Sequence, residues 1–155
     1  LSLDYLINIV KPNFSEEIIE KEKANIKEKI TTNPAYQILL THPPAYRELP
    51  FLWQAGQYII KGTVDAILAD GTIIDYKTGK KNDEGSQRYW KQLEIYYYAL
   101  RDSEIKLNNK LILIYIDQME YDIKYIECSG RDLLISEINQ VIEKYVKKLN
   151  QGEGL

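Results

Sequence analysis

The stretch that most constrains the fold is GTVDAILADGTIIDYKTGK, residues 62–80, where charged residues interrupt two strand-like apolar runs. Strands usually exclude Asp and Lys, yet Asp65, Asp75 and Lys77 lie within these runs. The ADG sequence between the runs is typical of a hairpin turn. Side chains alternate between the two faces of a strand, so Asp75 and Lys77 are predicted to point to the same side.

The length of the turn decides whether Asp65 joins them. A two-residue loop at Asp70-Gly71 places Asp65 and Asp75 on opposite faces of the hairpin. A three-residue loop that also includes Ala69, with Gly71 in the left-handed conformation, places the two aspartates directly opposite each other. Their Cβ atoms are then about 5 Å apart. This second arrangement predicts a raised pKa for at least one carboxyl group in the metal-free protein. It also favours a divalent cation between the two groups.

The same residues have a simpler interpretation, in which Lys77 forms salt bridges with both acids on a solvent-exposed face. Exposed hairpins often carry such charges. Spacing alone does not distinguish a metal site from this salt-bridged hairpin.

Composition limits the classes of protein to consider. The chain has 155 residues, which fits a single domain spanning residues 1–155, and its formal charge is −3, so any contact with phosphates must be local. A single cysteine, Cys128, excludes an internal disulfide, a zinc ribbon and a four-cysteine iron–sulfur cluster within this chain. No apolar run approaches the roughly 18 residues of a membrane span. We therefore expect a cytoplasmic protein without a membrane partner.

Periodicity and turn signals predict the order α-α-β-β-β-α-β-β-α, an α/β (α+β) domain with a five-stranded sheet flanked by helices. The strands are predicted at residues 45–53, 57–68, 72–78, 110–116 and 121–128. The helices are predicted at residues 15–30, from Pro34 to the Pro43-Pro44 break, at residues 86–102 after a polar loop at 79–85, and at residues 131–149.

Two groups of residues near the hairpin have open interpretations. The basic residues Lys80, Lys81, Arg88 and Lys91 either contact phosphates or belong to a solvated surface. Trp90 is more typical of packing than of base stacking.

Three ordered motifs in this region resemble those of the RecB-type branch of the PD-(D/E)XK nuclease superfamily. Residues 62–65 are similar to its G-x-h-D motif, residues 75–77 to its D-h-K motif, and residues 92–96 to its Q-h-x-x-Y motif. The segment RELPF at residues 47–51 resembles the strand that precedes the first of these motifs. The resemblance covers roughly residues 45–100 and is greatest to the nuclease domain that ends RecB and AddA helicase–nucleases.

The resemblance implies a restriction-endonuclease-like core with a mixed sheet, and a Mg²⁺-dependent DNA exonuclease in double-strand-break repair, with Mn²⁺ able to substitute. It implies that Asp65 and Asp75 hold the metal together with the backbone carbonyl of Tyr76. Lys77 corresponds to the catalytic lysine.

The resemblance also implies supporting residues and partners. Gln92 and Tyr96 would support the site and contact DNA, and Glu48 would lie beside the metal site or brace it. Single-stranded DNA would be delivered by a helicase domain or subunit, of which this chain would be a fragment. The branch of the family with an iron–sulfur cluster is excluded by the single cysteine.

One motif of the family is not matched. Its first motif is a histidine on an upstream helix, but the only histidine here is His42, beside the Pro43-Pro44 break. We interpret His42 as a residue at a helix end or on the surface. This difference favours an alternative, a non-catalytic DNA-binding or scaffolding module that keeps the nuclease fold.

Overall fold

The computed structural model describes residues 27–28, 31–116, 118, 120–127 and 130–152. Its helices are α1 (Pro34–Thr41), α2 (Asp83–Arg101) and α3 (Arg131–Asn150). Its strands are β1 (Pro44–Ala55), β2 (Tyr58–Leu68), β3 (Ile73–Lys77), β4 (Lys110–Tyr115) and β5 (Glu120–Tyr125). Among the residues described, no helix combines the length and the hydropathy that a membrane span requires.

The five strands form one mixed sheet in the order β1-β2-β3-β4-β5. The pairs β1–β2, β2–β3 and β4–β5 are antiparallel, while β3 and β4 are parallel and are connected through α2. The predicted α+β fold with a mixed five-stranded sheet is therefore confirmed. A parallel pair needs a crossover connection. Helix α2 is that connection, because it follows β3 and precedes β4 in the sequence.

Most of the predicted elements are present, with shifted boundaries. The predicted helix at residues 15–30 lies outside the described residues apart from Lys27 and Glu28. The predicted polar loop at 79–85 was too long, because α2 already begins at Asp83. Asn82 caps α2, and its side chain accepts a hydrogen bond of 2.6 Å from the Gly85 N–H.

One hydrophobic core joins α2 to the sheet. Helix α2 contacts β1, β3 and β4, and α3 contacts β1 and α2. The core is built from side chains that are less than a tenth exposed, including Trp53, Val64, Ile73, Leu93, Tyr97, Leu113 and Leu134. Strand β4 is buried almost throughout, as expected for a central strand with a parallel neighbour.

Asp102, which ends α2, connects three elements. Its Oδ2 atom accepts hydrogen bonds from Trp53 Nε1 of β1 at 3.1 Å and from Arg131 of α3 at 2.8 Å. The Arg131 guanidinium holds the pKa of the Asp102 carboxyl group below its ordinary value. Trp53 is thus a packing residue that is also fixed by a hydrogen bond.

The turn between β2 and β3 has the three-residue form. The Leu68 N–H donates to the Thr72 carbonyl at 2.8 Å, and Gly71 has a φ of +90°. The side chain of Asn108, which precedes β4, donates to the Asp70 carbonyl at 3.1 Å and to Thr72 Oγ1 at 2.9 Å. These bonds hold the hairpin in the register that aligns residue 65 with residue 75.

We expect Gly71→Ala to lower the free energy of unfolding by about 2–5 kcal/mol, measured by urea denaturation. The left-handed backbone costs a non-glycine residue about 1–2 kcal/mol. The added Cβ would also lie 2.7 Å from the backbone nitrogen of Asn108 and 2.9 Å from Leu107 Cα. Such overpacking typically costs about 1–3 kcal/mol more.

Gly79→Ala is the matched control. Gly79 has a φ of +88°, but a Cβ there would meet no atom within 4 Å. This variant should lose only the backbone contribution. Equal losses in the two variants would contradict the close contact between the turn and residues 106–108.

Candidate active site

The hairpin brings Asp65 of β2 and Asp75 of β3 together. Asp75 is only 2% exposed and follows the buried residues Ile73 and Ile74 at the start of β3. Asp65 Oδ2 accepts a hydrogen bond of 2.8 Å from the Tyr76 N–H, which fixes the Asp65 side chain against β3. The adjacent pairs Ala66–Ile74 and Ile67–Ile73 have the register that the three-residue turn predicts. The simpler hairpin with solvent-exposed acids does not fit this burial.

Asp75 has a perturbed acidity. Its pKa is raised from 3.8 to about 7, mainly because burial disfavours the ionised form, while the nearby Lys77 ammonium group lowers it and the neighbouring Asp65 raises it further. The predicted raised pKa is therefore confirmed. Its main cause is burial, with carboxylate repulsion contributing less, because Asp75 lies in the middle of the sheet.

Three contacts hold the Lys77 ammonium group. Its Nζ atom lies 2.7 Å from Asp75 Oδ2 and donates a hydrogen bond of 2.8 Å to Gln92 Oε1. It also lies 4.4 Å from the centre of the Tyr89 ring, a cation–π distance. A lysine held from three sides has lost most of its rotamer freedom before any substrate binds, which favours a positioning or catalytic role.

Helix α2 also contributes Tyr96 to the site, through a hydrogen bond with Gln92. Gln92 Nε2 donates to Tyr96 Oη at 2.5 Å, so the two residues, four apart on one face of α2, form the pair that the motif predicted. Burial, together with the charges of Asp75 and Asp65, raises the pKa of the Tyr96 hydroxyl to about 12. Tyr96 is thus a neutral hydrogen-bonding group close to both acids.

Phe51 and Gly62 support Tyr96 from the β1–β2 hairpin. The Phe51 and Tyr96 rings meet edge to face, with centroids 5.4 Å apart. A Cβ on Gly62 would lie 2.8 Å from Phe51 Cζ, so the glycine of the G-x-h-D motif leaves room for this ring. The contacts of Phe51 and Tyr89 with the site were not predicted from the sequence. Tyr89 precedes Gln92 by three residues, a spacing that could have indicated its position.

Glu48 lies on β1 across from Asp65. The flanking pairs Arg47–Ala66 and Leu49–Val64 give this position. Glu48 has a φ of +48° and is the only non-glycine residue with positive φ in the described part of the chain. Such strained conformations cluster at functional sites, so a supporting role for Glu48 stays a prediction with additional support.

The other candidates are separated in space. His42 is exposed and forms the C-cap of α1, where its N–H donates to the Ile38 carbonyl at 3.1 Å. Lys81 pairs with Asp122 of β5 at 2.7 Å, and Lys91 pairs with Glu137 of α3 at 2.7 Å. The basic residues near the hairpin therefore do not form one cluster; this set is Lys80, Lys81, Arg88 and Lys91.

The two aspartates are suitable donors for a small hard cation. Asp75 Oδ2 is buried and accepts no hydrogen bond from the residues that the structure describes, although the Lys77 ammonium group lies 2.7 Å away. Mg²⁺ in proteins is usually held by one or two carboxylates, with water and substrate phosphate completing its shell. No third His, Cys, Asp or Glu joins them to form a group of three within the residues described. The donor set thus fits Mg²⁺ or Mn²⁺ better than a metal that needs an all-protein cage.

The fold and this cluster define the class of protein. The mixed sheet places two carboxylates and a lysine on adjacent central strands, against one helix. The chain matches the family model of the PD-(D/E)XK nuclease superfamily over residues 11–153 and belongs to that superfamily. Membership suggests nuclease activity with DNA as the substrate, and these nucleases generally use divalent metal ions such as Mg²⁺. No curated protein shows significant similarity to the chain.

The burial of Asp75 predicts a pH-dependent stability in metal-free buffer. Asp75 ionises at 3.8 when unfolded and near 7 when folded, so its protonated form stabilises the fold fully below pH 3.8. This contribution is lost as pH rises through 7. We expect Asp75→Asn, which resembles the protonated form, to be more stable than the parent at pH 8 by up to about 4 kcal/mol, at roughly 1.4 kcal/mol per pKa unit over a shift of about 3 units.

Urea unfolding in EDTA at pH 5 and pH 8 measures this effect. Glu104→Gln, at an exposed position, is the control for removal of one carboxylate and should leave the pH dependence unchanged. An Asp75→Asn protein that is less stable than the parent at pH 8 would show that Asp75 acts as a structural ion-pair partner of Lys77.

Proposed function

We propose that this chain is a Mg²⁺- or Mn²⁺-dependent DNA exonuclease domain. The observation that carries the proposal is the cluster of Asp65, Asp75 and Lys77, in which Asp75 is almost fully buried. A structural protein gains little from burying Asp75 beside a second carboxylate, because desolvation and repulsion both oppose it. A cation-binding site explains why the chain keeps them.

Each residue has a distinct proposed role. Asp65 and Asp75 hold the metal, with the Tyr76 backbone carbonyl as a further ligand. When bound, the metal supplies Lewis acidity to a phosphoryl oxygen and lowers the pKa of a coordinated water. Lys77 positions the attacking water and stabilises negative charge that develops on the phosphate.

The α2 residues set the position of Lys77. Gln92 accepts from the ammonium group through Oε1 and donates to Tyr96 through Nε2, so its amide orientation is fixed from both ends. The Tyr96 hydroxyl, with a pKa of about 12, stays neutral at physiological pH and does not compete with the acids for the cation. Glu48 would brace Asp65 from β1.

The proposed biological setting is a cytoplasmic helicase–nuclease that acts in double-strand-break repair and recombination. In this setting residues 1–155 form a single nuclease domain, and a helicase domain or subunit delivers single-stranded DNA. The support is the order and spacing of the three motifs at residues 62–65, 75–77 and 92–96, which are similar to those of RecB-type nucleases.

A non-catalytic DNA-binding or scaffolding module is the second candidate. It is favoured by one observation: within the described residues, no histidine lies near Asp65 and Asp75. His42 is instead the C-cap of α1. A site that lacks one ligand should bind metal weakly, so we expect the chain on its own to be a slow nuclease.

The test is single-turnover cleavage of single-stranded DNA, labelled at either the 5′ or the 3′ end, by excess protein in Mn²⁺. We expect slow release of short labelled products from one end. Lys77→Ala should lower the rate by about 10²–10⁴-fold, the usual contribution of a positioned proton-transfer group. Its affinity for Mn²⁺ should be equal to or higher than that of the parent, because a positive charge beside Asp75 is removed.

Lys106→Ala, at an exposed position in the α2–β4 connection, is the control for loss of a lysine and should cleave like the parent. A Lys77→Ala protein with the parent's rate would remove the lysine from the mechanism. Binding of DNA without any Mn²⁺-dependent cleavage by the parent would establish the scaffold alternative.

A further inference from the structure

A groove of about 760 Å³ adjoins the site, and the site residues Gln92 and Tyr96 are part of its lining. It lies between α2 and the β1–β2 hairpin. Its floor is apolar and largely aromatic, formed by Phe51, Ile60, Trp90, Ile95 and Tyr96. A second hollow of about 730 Å³ shares Phe51, Lys61 and Gly62 with it and continues along the hairpin. The groove is therefore open, and the second hollow extends it along the hairpin from Phe51 and Gly62.

The groove is lined by four basic side chains and one acidic side chain. The basic residues are Lys61, Arg88, Lys91 and Lys124, and the acidic residue is Glu94. Lys124 pairs with Glu94 at 2.9 Å, and Lys91 pairs with Glu137 at 2.7 Å. Lys61 and Arg88 form no salt bridge with any residue that the structure describes.

This local charge is opposite to that of the whole chain, which is −3. Concentrating cations along one groove of an acidic protein favours a polyanionic ligand there. Flat aromatic side chains beneath a basic rim are how proteins bind single-stranded nucleic acids, with bases stacked on the rings and phosphates near the cations. A duplex keeps its bases stacked on one another, so it cannot use this floor.

We propose that the groove binds a single strand of nucleic acid and leads it to the aspartate site. One or two bases contact Trp90 and the exposed part of Phe51, and the phosphates contact Lys61 and Arg88. The strand then reaches Asp65 and Asp75 past Gln92, which lines the groove and contacts Lys77 as well. The proposal rests on the proposed nuclease function for the direction of the strand, while binding in the groove needs no metal.

The charge test compares two double variants that each remove two exposed cations. Lys61→Ala with Arg88→Ala removes the unpaired groove cations, and Lys144→Ala with Lys148→Ala removes two from α3. Binding of labelled oligothymidylate and oligouridylate is measured by anisotropy in EDTA over a range of salt concentrations. The groove variant should bind about tenfold more weakly, and its log–log salt slope should fall by roughly 1.4, at about 0.7 per phosphate contact.

The stacking test uses intrinsic fluorescence. Trp53 is buried and Trp90 is partly exposed, so quenching by the bound strand should arise from Trp90. Trp90→Phe should keep most of the affinity and lose the quenching. Trp90→Leu, which keeps an apolar side chain without a ring, should bind about tenfold more weakly, in line with the loss of one stacked base.

The outcomes separate the groove from the nuclease function. Comparable weakening by the two double variants, or duplex binding as tight as that of either single strand, overturns the groove proposal. Its support is groove-dependent binding of oligothymidylate, oligouridylate or both. Failure of the nuclease proposal would instead appear as absent cleavage with these binding results unchanged.

Discussion

The register of the β2–β3 hairpin decides whether Asp65 and Asp75 meet. A turn shorter by one residue would place them on opposite faces of the sheet, with neither able to share a cation with the other. The three-residue turn depends on Gly71, whose φ of +90° suits glycine best, and on Asn108, which bonds both Asp70 and Thr72. The turn lies several residues from the carboxylates but fixes their pairing, since side-chain direction in a strand changes with each one-residue shift.

Burial then gives the paired acids their chemistry. Asp75 lies in a central strand whose neighbours are apolar, so its ionised form is disfavoured and its pKa is raised to about 7. Lys77 partly offsets this effect and is itself held by Gln92 and the Tyr89 ring. Gln92 donates to Tyr96, whose ring packs edge to face against Phe51. Gly62 leaves room for the Phe51 ring. The motifs that the sequence displays separately are thus one continuous set of contacts. A divalent cation would satisfy both carboxylates and offset the cost of burying Asp75 in its ionised form.

Sequence patterns predicted the parts of this structure that depend on local chemistry. Strand alternation placed Asp75 and Lys77 together, and the ADG sequence limited the turn to two forms. Other features depend on contacts between distant segments and could not be read from spacing. The cap at Asn82 extended α2 into a stretch that looked like a loop. Among the basic residues near the hairpin, Lys81 pairs with Asp122 of β5 and Lys91 with Glu137 of α3. Trp90 lines a groove that residues of β1 and β2 help to form, which spacing along α2 alone does not show.

Binding of Mn²⁺ to the parent, Asp65→Asn and Asp75→Asn, followed by electron paramagnetic resonance of the free ion, tests the central claim most directly. It needs neither DNA nor catalysis, and Mn²⁺ is titrated to millimolar concentrations because a site without a histidine ligand should bind it weakly. The account predicts one saturable site in the parent and a loss of affinity of at least about tenfold in each variant, since each removes one of two charged ligands. Glu104→Gln should bind like the parent. Equal Mn²⁺ binding by all four proteins, or none by the parent, would show that Asp65 and Asp75 do not form a metal site.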